Sequence, residues 1–201
     1  MTNPLRTALC LALLLATSQA PAATKGKTMQ EILEASTAAD WRTPDPENIL
    51  VIDTNKGRIV VEITPQTAPG HAPRIRDLTR AGIYNGRTFF RVIEGFMAQT
   101  GDPTGTGTGG SKLPNIPAEF TPTPFRRGTL GMARSQSPNS ANSQFFICFA
   151  ESSFLNNQYT VFGEVVSGMD VVDKIKKGSQ AQNGQVQNPD KILRMRMADA
   201  K

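Results

Sequence analysis

The sequence predicts a mainly β protein, in which antiparallel strands form a closed barrel and two helices cover its ends. Short apolar runs separated by glycine and proline outnumber helical patterns, and the runs do not alternate regularly with helices. Turns at 55–57 and at 94–95 each join two such runs, and hairpins pair their strands antiparallel. The 201 residues, of which 38% are hydrophobic and 19% charged, suit one globular domain.

Each strand and helix can be placed in order along the chain. Strands are predicted over 49–53, 58–64, the two arms of a hairpin within 88–99, 129–133, 144–149, 161–166 and 191–197. Prolines at 65 and 69 open the first helix, whose apolar side carries Ala72, Ile75 and Leu78 and which ends near Gly82. A second helix is predicted over 169–177.

The first 22 residues have the pattern of a secretory signal peptide. Arg6 precedes an apolar run over 7–16, about ten residues where a membrane span needs roughly 20. Small residues at 20–22 follow, so we expect cleavage near Ala22, an N-terminal extension over 23–48 and a folded domain over 49–201. No other run is long enough to span a membrane. Cleavage leaves Cys148 as the single cysteine, which is predicted to be buried.

The composition argues against nucleic acid, metal and nucleotide as ligands. The net charge of +5 comes from scattered lysines and arginines, without a basic stripe interleaved with aromatics. His71 is the only histidine, so we expect no zinc site and give it a helix-start or packing role. Glycines 105, 107 and 110 match a dinucleotide fingerprint by letters, but Pro114 and Pro117 follow where its helix should begin. A loop is predicted there, and no cofactor.

The run FFRVIEGFMAQTGD, residues 89–102, places an arginine inside an apolar hairpin. Strand alternation predicts that Arg91 shares a face with Phe89 and Ile93. Arginine stays protonated, so a cluster built around it is unsuited to proton transfer. It can bind an apolar side chain and donate hydrogen bonds to an amide. Without further information, an ion pair at the barrel rim is the favoured interpretation of Arg91.

Long ordered segments of the chain resemble a known family. They are FFRVIEGFMAQTGD, GTGG at 107–110, GTLGMA at 128–133, NSQFFICFA at 142–150 and FLNNQYTVFGEVVSGMDVVDKI at 154–175. The chain resembles the cyclophilin-type peptidyl-prolyl cis-trans isomerases over about 49–178, and its exported form is similar to their bacterial periplasmic branch. The resemblance implies a closed eight-stranded antiparallel barrel capped by two helices, with a substrate groove on its outer face.

The resemblance also implies a role for each groove residue. Arg91 matches the catalytic arginine. The other matches are Phe96, Met97, Phe146 and Leu155 for the proline pocket, Gln99 and Gln144 for the groove amides, and Ala133 and Arg134 for the strand that pairs with the substrate backbone. Three positions depart from many eukaryotic members: Phe154 replaces a tryptophan, Tyr159 replaces a histidine at the pocket rim, and Arg134 replaces an asparagine. The change at Phe154 predicts weak cyclosporin binding.

The resemblance implies a peptidyl-prolyl cis-trans isomerase that assists folding of exported proteins. It would stabilise the twisted X-Pro amide without a covalent step. We expect a periplasmic monomer whose partners are proline-containing unfolded or flexible polypeptides, without nucleic acid, metal or cofactor. Two other functions stay open: a peptide-binding chaperone that uses the same groove with little catalysis, and a barrel that carries a small apolar ligand inside.

Overall fold

A computed structural model of the chain describes residues 42–200, which contain eight β-strands and two α-helices. The strands are β1 (Ile49–Thr54), β2 (Gly57–Ile63), β3 (Arg91–Ile93), β4 (Met97–Thr100), β5 (Thr129–Met132), β6 (Phe145–Cys148), β7 (Val161–Ser167) and β8 (Ile192–Met197). The helices are α1 (His71–Arg80) and α2 (Met169–Asp173). The predicted signal peptide and most of the predicted extension lie outside the described residues. Within 42–200, no helix has the length and apolar character needed to cross a bilayer.

The strands form one antiparallel sheet in the order β3-β4-β6-β5-β7-β2-β1-β8. The edge strands β3 and β8 do not pair with each other, so the sheet is an open half-barrel and the prediction of a closed barrel is wrong. Residues 178–191 lie between the two edges and bond to the β3 side, where Val92 N donates to Gly184 O at 2.8 Å. Asn188 has a positive φ of 51° and Pro189 lacks an N–H, so this segment cannot continue a regular ladder.

The inner face of the sheet packs into the main hydrophobic core. Phe145 and Phe162 are fully buried and meet edge to face with ring centroids 5.9 Å apart. Tyr84 contacts Phe145 in the same way at 5.5 Å. Each large apolar side chain buried here contributes about 1.5–3 kcal/mol to stability. Because aromatic side chains fill the interior, the hypothesis of an internal ligand carrier has no support from the packing.

The predicted extent agrees with the structure for helix α1 but is too long for helix α2. Helix α1 buries Ala72, Ile75 and Leu78, the positions that the sequence assigns to its apolar side. Helix α2 ends at Asp173, four residues before the predicted end at residue 177. Backbone N–H groups after the helix bind acceptors outside it. Lys176 N donates to Asp190 Oδ2 at 2.8 Å and Gly178 N donates to Val92 O at 2.9 Å.

A second apolar cluster lies on the outer face of the sheet. Side chains alternate between the two faces of a strand, so Ala98 and Ile147 belong to the inner core while Met97 and Phe146 belong to the outer cluster. Cys148 also lies in this cluster and is fully buried, as predicted. Burial raises the pKa of its thiol to about 12, which keeps it protonated and unreactive at neutral pH. The outer cluster forms the base of the candidate site.

Candidate active site

Arg91 opens strand β3 and pairs in register with Gln99 of β4. Arg91 is partly exposed, and the neighbouring Ile93 packs against the outer cluster. The prediction that Phe89 shares this face is wrong, because Phe89 is 1% exposed and belongs to the inner core. The extended strand begins only at Arg91, so alternation does not run back to Phe89.

Neutral oxygen atoms hold the Arg91 guanidinium. Its Nε donates to the Asn183 carbonyl at 3.0 Å, its Nη2 to Asn183 Oδ1 at 2.9 Å and its Nη1 to Gln99 Oε1 at 3.1 Å. Within residues 42–200 it forms no ion pair with a carboxylate, so the barrel-rim ion pair is not found. Burial lowers the pKa of Arg91 and Tyr159 acts in the opposite direction. Arginine nevertheless keeps its charge at neutral pH.

Beside Arg91 lies a cavity of about 330 Å³ that we call the apolar pocket. It is lined by Arg91, Phe96, Met97, Gln99, Ala133, Arg134, Phe146, Phe154, Leu155, Gln158 and Tyr159. The structure therefore brings together every predicted site residue except Gln144 around one cavity. Met97, Phe146 and Leu155 are nearly inaccessible and form its base, whereas the Phe154 side chain on the rim is 62% exposed.

Aromatic contacts shape the rim of the apolar pocket. Phe96 and Phe154 pack with ring centroids 5.2 Å apart, and Tyr159 meets Phe146 edge to face at 5.8 Å. The Arg134 guanidinium lies 4.4 Å above the Tyr159 ring centroid. Aromatic pairs of this kind contribute about 0.5–1.5 kcal/mol beyond the area that they bury, so these contacts help to hold the rim side chains together.

A chain of side-chain amides connects Arg91 to the glycine loop at 105–110. Gln99 Nε2 donates to Gln144 Oε1 at 2.9 Å. Gln144 Nε2 donates in turn to the carbonyls of Gly107 at 3.1 Å and Gly109 at 2.8 Å. Gln144 lines a second cavity of about 360 Å³ next to the apolar pocket, and Gln99 lines both. The two predicted groove amides therefore lie side by side and bond to each other.

Asp102 directly follows Gly101, a context typical of a turn, but its side chain also holds the glycine loop. Its side chain is 1% exposed and accepts N–H bonds from Thr104 at 2.7 Å, Gly107 at 2.6 Å and Gly109 at 3.1 Å. Burial opposes ionisation of this carboxyl, but these bonds together hold its pKa below the ordinary value. Asp102 thus organises the glycine loop. The predicted loop is confirmed, because in the described part of the chain no α-helix begins between this loop and β5, where a dinucleotide fingerprint requires one.

The sequence analysis missed Asn183, which makes two of the three hydrogen bonds to Arg91. Asn183 follows a short 3₁₀ helix, Gln180–Gln182, and has a positive φ of 52°. The Asn183-Gly184 pair is a turn signal that could have marked the position. Nothing local in the sequence connects that turn to Arg91.

His71 begins helix α1, as predicted, and is fully buried. Its Nδ1 lies 2.6 Å from Glu119 Oε2. Across residues 42–200, no group of three histidine, cysteine, aspartate or glutamate side chains could hold a metal ion.

The sequence is similar to proteins of one family. The family described as "Cyclophilin type peptidyl-prolyl cis-trans isomerase/CLD" matches residues 49–197. A "Probable peptidyl-prolyl cis-trans isomerase" of Brucella abortus is 58% identical over 161 residues, covering 75% of this chain and 82% of that protein. A peptidyl-prolyl cis-trans isomerase of Helicobacter pylori is 42% identical over 130 residues, covering 63% of this chain and 79% of that protein.

Solved structures have the same fold. Cyclophilin AquaCyp293 from Hirschia baltica superposes with a TM-score of 0.72 at 27% identity, covering 88% of this chain and 83% of that one. A Cryptosporidium parvum cyclophilin-type isomerase, determined in the presence of the dipeptide Ala-Pro, gives a TM-score of 0.68 at 29% identity and covers 74% of this chain and 98% of that one. The chain therefore belongs to the cyclophilin-type peptidyl-prolyl cis-trans isomerase family.

Proposed function

We propose that this chain accelerates cis-trans rotation of X-Pro bonds, with the proline ring in the apolar pocket and Arg91 donating to the proline nitrogen. The observation that carries the proposal is a guanidinium fixed by three hydrogen bonds at the wall of a pocket with an apolar base. Family membership supports the reaction class. The dipeptide Ala-Pro named with the Cryptosporidium parvum structure supports proline-containing peptides as substrates.

The reaction needs no nucleophile or proton transfer. Rotation about a peptide bond has a barrier of about 18–20 kcal/mol, because the planar amide is stabilised by resonance. At the twisted transition state this resonance is lost and the proline nitrogen gains a lone pair. A guanidinium placed to donate to that lone pair binds the twisted state better than the planar one, which is the condition for catalysis. A rate gain of about 10⁵ requires roughly 7 kcal/mol of such differential binding.

The geometry gives each side of the bond its own partner. Met97, Phe146 and Leu155 would hold the proline ring at the base of the apolar pocket. Ala133 and Arg134 extend directly beyond the end of β5 and would align the substrate backbone beside it. One side of the bond is then fixed while the other turns. Gln99 accepts from Arg91 and would keep its guanidinium aimed at the nitrogen.

The test measures exchange between the cis and trans forms of a short Ala-Pro peptide by NMR. Purified mature protein is compared with Arg91→Ala and Arg91→Lys. We expect the alanine variant to lose activity by about 10²- to 10³-fold, as expected when a transition-state donor is removed. The lysine variant should recover only part, since it keeps the charge but loses the planar fork of donors. Unfolding curves for all three proteins verify that the fold is intact.

The outcomes separate the enzyme from the chaperone hypothesis. Full activity in a folded Arg91→Ala protein would contradict the proposed mechanism. Peptide binding without acceleration by the wild-type protein would favour the peptide-binding chaperone. The same assay with added cyclosporin tests the expected weak inhibition, because Phe154 offers no indole N–H donor; tight inhibition would refute it.

We further propose that the protein acts on exported polypeptides in the periplasm and assists their folding. The charged, apolar and small-residue pattern of residues 1–22 supports export. Mass spectrometry of the protein from fractionated bacteria tests this. A periplasmic product that begins near residue 23 is expected, whereas an intact precursor in the cytoplasm would refute export. The folding role can be tested with a periplasmic protein whose refolding is limited by X-Pro isomerisation. Slower refolding of that protein in cells that lack this chain would support the role, and an unchanged refolding rate would oppose it.

A further inference from the structure

Arg134 borders three adjoining cavities of the groove. They are the apolar pocket, the neighbouring cavity of about 360 Å³ and a third cavity of about 380 Å³ beside Arg91. Their lining residues include Arg91 and Arg134 but no lysine, aspartate or glutamate. Two guanidinium groups therefore carry the entire formal charge of the groove lining.

The Arg134 guanidinium is held in place without being neutralised. Its Nε and Nη2 donate to the Gln158 carbonyl at 3.1 and 3.0 Å, and its Nη1 donates to the carbonyls of Ser135 at 2.9 Å and Gln136 at 3.3 Å. The Tyr159 ring covers one face at 4.4 Å. Within residues 42–200 it has no carboxylate partner. A guanidinium that is already oriented loses little freedom when an anion binds.

The carboxylate of Asp102, which binds the glycine loop, does not pair with either guanidinium. Asp102 lies beneath the glycine loop, is 1% exposed and lines none of the three cavities. Its oxygens accept bonds from the backbone of Thr104, Gly107 and Gly109 and from the Thr104 hydroxyl. The Asp102 carboxylate is therefore occupied by hydrogen bonds from residues 104–109, whereas the two guanidinium groups line the groove.

We propose that Arg134 is a specificity-determining residue that favours peptides with a glutamate or aspartate one or two residues from the proline. The inference rests on the proposed function, because it takes the apolar pocket as the site of the proline ring. An extended peptide advances about 3.3–3.6 Å per residue, so a neighbouring acidic side chain reaches the guanidinium while the ring stays in the pocket. The charge of Arg134 then adds selectivity to a groove that otherwise recognises apolar and amide groups.

The test uses peptides of equal length with one proline and a glutamate at the first or second position on either side of it. Each peptide is paired with its glutamine isostere, and both exchange catalysis and binding are measured by NMR. For the wild-type protein at low salt, we expect kcat/KM to favour the best glutamate peptide by roughly three- to fivefold. Added salt should reduce this preference, because the charges lie at the surface.

Three variants assign the preference to Arg134. Arg134→Gln should abolish it, and Arg134→Lys should keep part of it. Arg194→Gln is the matched control, because it removes the same charge from an exposed position of β8 that borders none of the three cavities. This control should retain the full preference. If Arg134→Gln does not fold, the salt dependence of the wild-type preference still tests the proposal.

Equal rates of isomerisation together with equal binding of the glutamate and glutamine peptides at every position would overturn the inference. So would a preference that persists unchanged in folded Arg134→Gln, or one that salt does not reduce. Failure of the proposed function would look different. In that case no peptide would be isomerised faster, yet glutamate peptides could still bind more tightly in an Arg134-dependent manner, and the inference about Arg134 would stand.

Discussion

Asn183 accepts two hydrogen bonds from the Arg91 guanidinium, one through its side chain and one through its backbone. Its backbone carbonyl accepts from Nε and its Oδ1 accepts from Nη2. The φ of 52° at Asn183 is in the left-handed region, which asparagine tolerates better than most residues. Asn183 is thus a positioning residue for the proposed catalytic group.

Replacing Asn183 by glycine removes only the side-chain acceptor. Glycine adopts the same φ without strain, so the backbone carbonyl can stay in place. One hydrogen bond of this kind contributes about 0.5–1.5 kcal/mol, which predicts a decrease in kcat of roughly two- to tenfold. The peptide Kd should change little, because the apolar pocket is intact. NMR exchange rates and peptide titrations measure the two quantities separately.

Asn188→Gly is the matched control for this prediction. Asn188 also has a positive φ, 51°, and is exposed, but it lines none of the cavities beside Arg91. Its replacement should leave kcat unchanged. A loss of kcat in Asn188→Gly as large as that in Asn183→Gly would assign the effect to the segment's flexibility rather than to the lost acceptor.

The contact between Asn183 and Arg91 is a part of the site that the sequence does not predict. Phe96, Met97 and Gln99 belong to one hairpin, so a single motif locates them together. Asn183 lies 92 residues from Arg91 in the chain. The Asn183-Gly184 pair is a local turn signal, but it carries no information about which distant side chain the turn contacts.

Helix α1 depends on a carboxylate from elsewhere in the chain for its N-terminal cap. Gly70 precedes the helix and has no side chain to cap it. Glu119 accepts the N–H of Gly70 at 2.7 Å and the N–H of His71 at 3.0 Å. A negative charge at this end also interacts favourably with the helix dipole. The cap connects α1 to the segment between the glycine loop and β5.

Glu119→Gln should therefore destabilise the protein at neutral pH by about 1–2 kcal/mol, the usual cost of losing a helix cap. Burial raises the pKa of Glu119, but the bonds from His71 and Gly70 outweigh it and hold the pKa below its ordinary value of 4.5. The stabilisation is thus fully present above pH 4.5 and is lost as the pH falls through the lowered value. Denaturant unfolding from pH 7 to pH 3 should show wild type and variant converging in acid.

The control for the cap is Glu151→Gln, which removes the same charge from an exposed position. It should leave the free energy of unfolding nearly unchanged across the pH range. A constant difference between wild type and Glu119→Gln from pH 7 to pH 3 would mean that the glutamate acts through packing rather than through its charge.

At the scale of elements, the sequence predicts strands and helices better than their ends. Proline and glycine mark helix α1 at both sides, and its apolar spacing is regular, so its extent is nearly as predicted. Helix α2 stops early because Asp190 and Val92 bind the backbone that follows it. Those acceptors come from other parts of the chain. The local helical pattern of the sequence therefore does not show that they bind these N–H groups in place of helical carbonyls.

For the whole molecule, the open side of the sheet is where fold and proposed function meet. Residues 178–191 cover the β3 edge through hydrogen bonds that include Val92 N to Gly184 O at 2.8 Å and Val186 N to Phe90 O at 3.0 Å. Covered edges protect a sheet from pairing with other chains. The same segment carries Asn183, so its contact with β3 also determines the position of Arg91.

Gly184→Ala tests this coupling. Gly184 has a φ of +78°, and a Cβ added there would overlap the Ile93 side chain and approach Val92 O. The segment must then move away from β3, carrying Asn183 with it. We expect a loss of about 1–3 kcal/mol in the free energy of unfolding from overpacking, beyond the strain of alanine at positive φ. Isomerase activity should also fall, as denaturant unfolding and NMR exchange can measure.

Gly86→Ala separates the clash from the backbone strain. Gly86 has nearly the same φ, +77°, but an added Cβ meets nothing within 4 Å. This variant should therefore lose only about 1–2 kcal/mol of stability, the cost of a left-handed alanine, and keep full activity. If Gly184→Ala were as stable and as active as Gly86→Ala, the segment could shift without disturbing Arg91. The open half-barrel would then hold its proposed catalytic arginine through Gln99 alone.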